Sequence, residues 1–259
     1  MKLAACVEYN GAMFSGWQRQ RGSTSVQEVV ETALAGIANH PLAAVAAGRT
    51  DAGVHASGQV IHFETDSIRS EWSWRRGANA LLPRGVTVLW VVPVAESFHA
   101  RYSAVARRYR YIILNRQVRS SILDGRVAWD YRQLNVDAMQ QAARLLVGER
   151  DFSAFRGSHC QAKSAVRNLR QFDVWHCNEW IWADTEANGF LQHMVRNLVG
   201  ALLEVGTGAQ EPDWVMRLLD SRDRCQGGVT APAHGLYLTA VKYPSGFELP
   251  PAPAPCRFW

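Results

Sequence analysis

Strand-like and helix-like segments are mixed irregularly along this chain of 259 residues, which predicts an α+β fold with a mainly antiparallel sheet. Two observations lead there. The segments do not keep the strict strand–helix–strand order that a parallel sheet needs. The second half also repeats the vocabulary of the first, which predicts two related halves with a cleft between them. A chain of this length buries a sizeable core, as one large domain or two closely packed halves.

Taken in order, Lys2 to Glu8 reads as a first strand, closed by the turn signal Asn10-Gly11. Ser25-Val26-Gln27-Glu28 has capping-box spacing. The helix it opens sets Val26, Val29, Val30, Ala33, Leu34 and Ile37 on one stripe and stops before Pro41. Ala43 to Arg49 is small, apolar and free of turn residues, so it reads as a buried strand. Gln59 to Glu64 predicts another strand, Arg69 to Asn79 a helix, and Val86 to Val94 a strand rich in β-branched residues. The segment through Tyr111-Ile112-Ile113-Leu114 is strand-like too. Val136 to Val147 is helical in pattern, with Gly148 just past its end. Leu169 to Cys177 and Trp180 to Glu186 predict a hairpin across Asn178-Glu179. A helix follows with Leu191, Met194, Val195, Leu198, Leu202 and Val205 in register, ended by Gly206. Pro212 to Leu219 is a short helix with proline at its start, and Leu236 to Tyr243 a final strand. The expected division is 1–104 and 105–245 for the halves, then a proline-rich tail, 246–259, extended and mobile.

The charge balance, 28 Lys plus Arg against 23 Asp plus Glu, leans toward an anionic partner. Its distribution says more. Arg101, Arg107, Arg108, Arg110, Arg116, Arg119 and Arg126 fall in one stretch, interleaved with Tyr102, Tyr109 and Tyr111. No apolar run approaches the roughly 18 residues of a membrane span, and Glu8 interrupts the opening too early for a signal-peptide core. The five cysteines are odd in number and lack a C-x-x-C pair, so reduced, mostly buried thiols in a cytoplasmic protein are expected. His159-Cys160 and His176-Cys177 lack metal-ligand spacing, and no metal is expected. The ten tryptophans read mostly as core.

The most informative stretch is Gly48-Arg49-Thr50-Asp51-Ala52-Gly53-Val54-His55. It places a short carboxylate between an arginine and a glycine where an apolar segment ends. An Arg-x-Asp alone reads as a surface ion pair; the apolar lead-in, the glycines and His55 set this one apart. Arg49 and Asp51, two apart, share one face if extended. A nucleophilic carboxylate must stay ionised in a dry pocket: burial raises its pKa from about 3.9, and a guanidinium lowers it again.

With Gln59-Val60-Ile61-His62-Phe63 beyond it, this stretch resembles the signature of the TruA-type tRNA pseudouridine synthases. Glu8-Tyr9-Asn10-Gly11, Phe14 to Gln20, Phe98-His99-Ala100-Arg101, Arg107 to Tyr111, His193-Met194-Val195-Arg196-Asn197 and Gly235-Leu236-Tyr237-Leu238 are similar to further family blocks, in family order. The resemblance implies two ferredoxin-like α/β halves fused around a central antiparallel sheet, and a homodimer. It implies isomerisation of uridine to pseudouridine at positions 38, 39 and 40 of the anticodon stem-loop of tRNA. Nothing is oxidised or phosphorylated in that reaction, so no cofactor is required.

By the same resemblance Asp51 is the nucleophile, attacking either ribose C1′ or uracil C6. Arg196, on the flank of its helix's apolar stripe with Gly200 one turn on, is the cation that pairs with Asp51. Tyr109 is the active-site tyrosine that stacks on the target uracil and helps remove the C5 proton, stacking being the better-founded role because a phenol of pKa about 10 is a poor base. Arg49 is a second partner of Asp51 or, as the family parallel favours, a finger filling the gap left by the flipped base. Leu236 forms the apolar wall of the uracil pocket. Arg69, Arg101, Tyr102 and Lys163 resemble RNA-contact positions. His55, His62 and His99 read as structural or RNA-contacting. Asn10, where the family commonly has Asp, and Gln117, in a neighbourhood usually basic, depart from the pattern. A non-catalytic RNA-binding protein of the same fold is the alternative, and the presence of Arg49, Asp51, Tyr109 and Arg196 together argues against it.

Overall fold

A computed structural model describes residues 1–258. The chain forms two compact units, Met1–Val105 with the chain from Tyr237 on, and Ala106–Leu236. Residues 237–245, expected with the second half, group with the first. The first unit begins with β1 (Lys2–Tyr9), α1 (Val26–Ala38), β2 (Val45–Ala46), β3 (His55–Glu64), α2 (Glu71–Leu81) and β4 (Val86–Pro93). The second holds β5 (Ala106–Asn115), β6 (Ala128–Asp130), α3 (Val136–Leu145), β7 (Gly148–Asp151), β8 (Val166–Cys177), β9 (Trp180–Ala187), α4 (Met194–Gly206) and α5 (Trp214–Ser221). β10 (Leu236–Lys242) then leads back to the first. The α+β class and the mainly antiparallel pairing are as the sequence predicts. No helix among the described residues is long and apolar enough to cross a membrane.

In the first unit the strands run β4-β1-β3-β10. β1 pairs antiparallel with both neighbours, and β10 joins β3 in parallel at Tyr237↔His55 and Leu238↔Ala56. The Ser25 half of the expected capping box is present, its side chain accepting from Glu28 N, and α1 ends on Asn39 in the left-handed region at φ 62°. α1 buries Val26, Val30, Ala33 and Leu34, whereas α2 buries only Trp74 and Ala78. The two helices meet closely at Gly77, where an added Cβ would lie 2.4 Å from Ile37 Cδ1. Trp74 packs edge-on against Phe63 of β3 at 5.3 Å.

Side chains alternate across a strand, so Cys6 and Val60, paired across β1 and β3, point away from the helices. On that side Ala4, Ala47, Val60, Phe98 and Ala100 form a buried cluster, covered by Trp90, Val241, Tyr243, Phe247 and Leu249. Phe247 and Leu249 belong to the tail. From Glu248, at φ 47° in the left-handed region, to Phe258 it forms neither helix nor strand, and it rests on the first unit, with the Phe258 ring 6.2 Å from that of Tyr237. Leu249, Pro250, Ala252 and Pro253 enclose a cavity of about 350 Å³ with Cys6, Val60 and Trp90.

The second unit carries β7-β8-β9-β5 in antiparallel order, with β6 parallel to β5. The β8–β9 hairpin turns at Asn178, φ 52°, as its sequence predicts. α3 packs on β8 and against α4.

Three expectations change. The Ala43–Arg49 strand shrinks to Val45–Ala46, with Val45 exposed. The cysteines are not mostly buried: Cys6 is, Cys160 and Cys256 are partly so, and Cys177 and Cys225 are exposed. The tryptophans are not mostly core: among the described residues Trp17, Trp74, Trp180 and Trp182 are buried, Trp90, Trp175 and Trp214 are partly so, and Trp72 is 56 % and Trp129 40 % exposed.

Candidate active site

The Gly48–His55 stretch links β2 to β3 and is held by the first unit's N-terminal blocks, by Gln59 and by Tyr237. Val54 N donates to Asp51 O at 3.1 Å, closing a turn whose third residue, Gly53, has φ 80°. Only a residue without Cβ adopts that conformation cheaply, which explains Ala52-Gly53 after the aspartate. Tyr9 Oη and Thr50 Oγ1 share a buried hydrogen bond of 2.7 Å, and Trp17 N donates to Thr50 O at 3.0 Å. Gln59 Nε2 donates to Gly48 O at 2.6 Å. Two glycines make room. A Cβ on Gly11 would lie 1.9 Å from Val54 O, and one on Gly16, φ 93°, 2.8 Å from Thr50 O. The blocks Glu8 to Gly11 and Phe14 to Gln20 are therefore the bed of the Asp51 turn.

The turn's far end is fixed as firmly. His55 Nδ1 accepts from Gly11 N at 3.0 Å, and the ring stacks on Tyr237 at 4.5 Å with 18° between planes. Asp51 is partly exposed and Arg49 exposed, so the turn presents both side chains from a backbone that cannot drift. The structural role allowed for His55 is the one its geometry serves.

Tyr109, Arg196 and Leu236 lie in the second unit. Tyr109, opposite Thr185 in the β5–β9 ladder, is 9 % exposed and packs edge-on against Phe190 at 5.1 Å. Its neighbours point to the other face. Arg108 pairs with Glu186, and Arg110 grips Asp184 through Nε at 2.6 Å and Nη2 at 2.7 Å. Arg196, partly buried on α4, donates from Nε to Ala231 O at 2.8 Å, while Ala231 N donates back to Arg196 O at 3.1 Å. Gly200 permits this approach: a Cβ there would lie 2.0 Å from Val229 O. Leu236 is buried, and the preceding Gly235 lies so close to the Tyr111 ring that a Cβ would fall 2.6 Å from Cζ.

Sequence reasoning passed over Asn197. It is 3 % exposed, donates from Nδ2 to Phe155 O at 2.9 Å, and accepts at Oδ1 from Arg224 Nη2 at 3.1 Å and Thr230 Oγ1 at 2.7 Å. It thus ties the 224–231 segment to α4 beside Arg196. A polar residue inside an apolar helical register was the available signal.

Of the RNA-contact candidates, Arg69, Arg101 and Tyr102 lie in the first unit and Lys163 in the second, all exposed. Tyr102, 77 % exposed, stacks on His99 at 4.4 Å, with the Arg101 guanidinium 5.6 Å from its ring centre. His99 Nδ1 accepts from both Arg101 N and Tyr102 N, which fixes the platform. His62 Nδ1 accepts from Ala100 N at 3.1 Å, and burial lowers its pKa to about 4, helped by the charges of His99 and Lys2. Among the described residues no group of three or more His, Cys, Asp or Glu could hold a metal ion.

The model of the family described as tRNA pseudouridine synthase matches residues 5–103 and 142–244. The chain belongs to that family. Relatives named tRNA pseudouridine synthase A align along essentially the whole chain. The one from Nitrosococcus oceani is 50 % identical over 259 residues, all of both chains. The one from Coxiella burnetii is 47 % identical over 252 residues, 97 % of each, and the one from Aliivibrio fischeri 49 % over 253, 98 % of this chain and 97 % of its own. Among solved structures, a Cbf5-Nop10-Gar1 complex is similar at TM-score 0.35 and 13 % identity over 78 % of this chain and 45 % of that one, too remote to carry an argument. The family blocks are the segments that build the Asp51 turn, the Tyr109 strand and the Arg196 helix.

Proposed function

We propose that this protein isomerises uridine to pseudouridine at positions 38, 39 and 40 of the anticodon stem-loop of tRNA, with Asp51 as nucleophile and no cofactor. Membership in the tRNA pseudouridine synthase family supports the activity and the substrate class. The finer reading rests above all on the Asp51 turn: two glycine contacts and the buried Tyr9–Thr50 bond fix its backbone, and Asp51 itself is partly exposed. A solvated loop has no need of that enclosure; a nucleophile that must meet one carbon atom does.

In this reading the carboxylate attacks ribose C1′ or uracil C6, and the N1–C1′ bond breaks. The uracil turns, C5 bonds to C1′, the bond to Asp51 is released with its carboxylate restored, and the proton leaving C5 is balanced by one gained at N1. Arg196 is the cation that keeps Asp51 ionised, its own position set by Ala231. Tyr109 offers its ring to the uracil and Leu236 an apolar wall, and Arg49 fills the space of the flipped base. Arg69, Arg101, Tyr102 and Lys163 hold the RNA, Tyr102 on its His99 support. The reading extends to a cytoplasmic homodimer.

The test uses an unmodified tRNA transcript, with pseudouridine mapped by chemical labelling and reverse transcription. Wild type should give stops at the three anticodon-arm positions, and Asp51→Asn none. Product from the variant, or none from wild type, overturns the assignment. Tyr109→Phe separates stacking, which it keeps, from proton transfer, which it removes. Light scattering on the purified chain tests the dimer.

A further inference from the structure

α2 is an unusual surface helix. Its buried side is only Trp74 and Ala78, yet it carries a second tryptophan, Trp72, 56 % exposed, with Ile68 just before it 84 % exposed. The Arg76 guanidinium stands 4.9 Å from the Trp72 ring centre, in cation–π range. Arg69, Arg75 and Arg84 are exposed as well. None of these four arginines has an ion-pair partner among the described residues, although Asp66 and Glu71 lie nearby in sequence.

Their order along the unit is informative. β3 leaves the Asp51 turn at His55 and ends at Glu64, about 30 Å away at strand rise. Arg69 and Trp72 follow at that far end. α2 then runs back, and Arg84 precedes Gly85, whose carbonyl accepts from Asn10 N in the bed of the turn. Arg75 and Arg76 fall between. Four uncompensated cations thus form a track from the neighbourhood of the turn to a point a strand-length away, with an aromatic plane at its outer end. Phosphates meet such a row of guanidiniums, and an exposed aromatic ring stacks on a nucleotide.

We propose that the outer face of α2 is a second RNA-binding track, which grips the tRNA body beyond the anticodon arm through Arg75, Arg76 and Trp72. The proposal rests on the reading of this chain as a tRNA-modifying enzyme and adds where the rest of the substrate lies.

The experiment measures binding of full-length tRNA and of an isolated anticodon stem-loop by filter retention over a salt series. Wild type, the double variant Arg75→Gln/Arg76→Gln and Trp72→Ala are compared, with unfolding temperature as a fold control. For full-length tRNA the double variant should bind more weakly, with a salt slope shallower by about 1–2. Trp72→Ala should lose about 5- to 150-fold in affinity, the usual worth of one stacked base, at little change in slope. Stem-loop affinity should hold in both. Unchanged full-length binding in well-folded variants overturns the track, and an equal loss on the stem-loop overturns its assignment to the tRNA body. Either result leaves the Asp51 assignment standing, because pseudouridine formation by wild type tests that separately.

Discussion

Gly200→Ala sets two physical effects of opposite sign against each other. Inside an exposed helix, replacing glycine by alanine adds about 1 kcal/mol of stability. At this site on α4 the new methyl would lie 2.0 Å from Val229 O and 3.1 Å from its carbonyl carbon. Both are backbone atoms, so no side chain can swing aside, and the 229–231 segment would have to retreat by about 1 Å or more. Overpacking of this kind costs about 1–3 kcal/mol. The retreat also strains the hydrogen bond from Arg196 Nε to Ala231 O, and bonds to charged groups contribute about 1.5–3 kcal/mol. The net expectation is a loss of about 2 kcal/mol, seen as a lower urea midpoint, together with reduced tRNA modification as the hold on Arg196 loosens. A midpoint that rises would mean helix propensity wins and the close approach is soft, and the account of how Arg196 is positioned would be refuted.

Acid should destabilise the fold through His62. Its pKa in the folded protein, lowered to about 4 by burial first and then by His99 and Lys2, lies below the ordinary 6.5, so the unfolded chain binds the proton more readily. The stability tied to neutral His62 is complete above pH 6.5 and is lost as pH falls toward 4, by about 3 kcal/mol at most. Urea midpoints across that range should fall in wild type and fall less in His62→Asn; equal slopes would dismiss His62 as the cause. Thiol reactivity should rank by burial. Cys177 and Cys225 should label rapidly with a disulfide reagent, while Cys6, whose thiol is pushed up to about 12 mainly by burial, should label only on unfolding. Mass-spectrometric detection of Cys6 among the first labelled sites would contradict the packing of the tail side of the sheet.

Much of the fold was legible because the longer elements carry their own signals. Ser25 caps α1, Asn178 turns the β8–β9 hairpin, and the apolar register of α4 runs to Gly206 as read. What escaped was held by partners rather than pattern. β7, Gly148-Glu149-Arg150-Asp151, has no apolar alternation and exists because β8 supplies its hydrogen bonds. β6 is three residues long, too short for a period to register. The tail's prolines hid the two residues that matter, Phe247 and Leu249, which cover the cluster on the helix-free face. The candidate site divides the same way. Asp51 was visible from its motif, but the use of Gly11 and Gly16 as its bed depends on backbone approaches, 1.9 and 2.8 Å from where a Cβ would stand, that no local pattern encodes. Asn197 was hidden because its partners, Arg224 and Thr230, are distant in sequence.

The return of β10 to the first unit sets a timetable for synthesis. The Asp51 turn leaves the ribosome early, but the start of β3 beside it, beyond the reach of β2, keeps a bare edge until Tyr237 and Leu238 arrive to pair with His55 and Ala56. Translating the intervening unit takes on the order of ten seconds at about 5–20 residues per second. For that interval the nascent chain displays an open strand edge, the kind that templates misassembly. The part of the polypeptide made first is thus the last to be finished, and a premature stop near the 3′ end of the message would strike the unit that bears the aspartate.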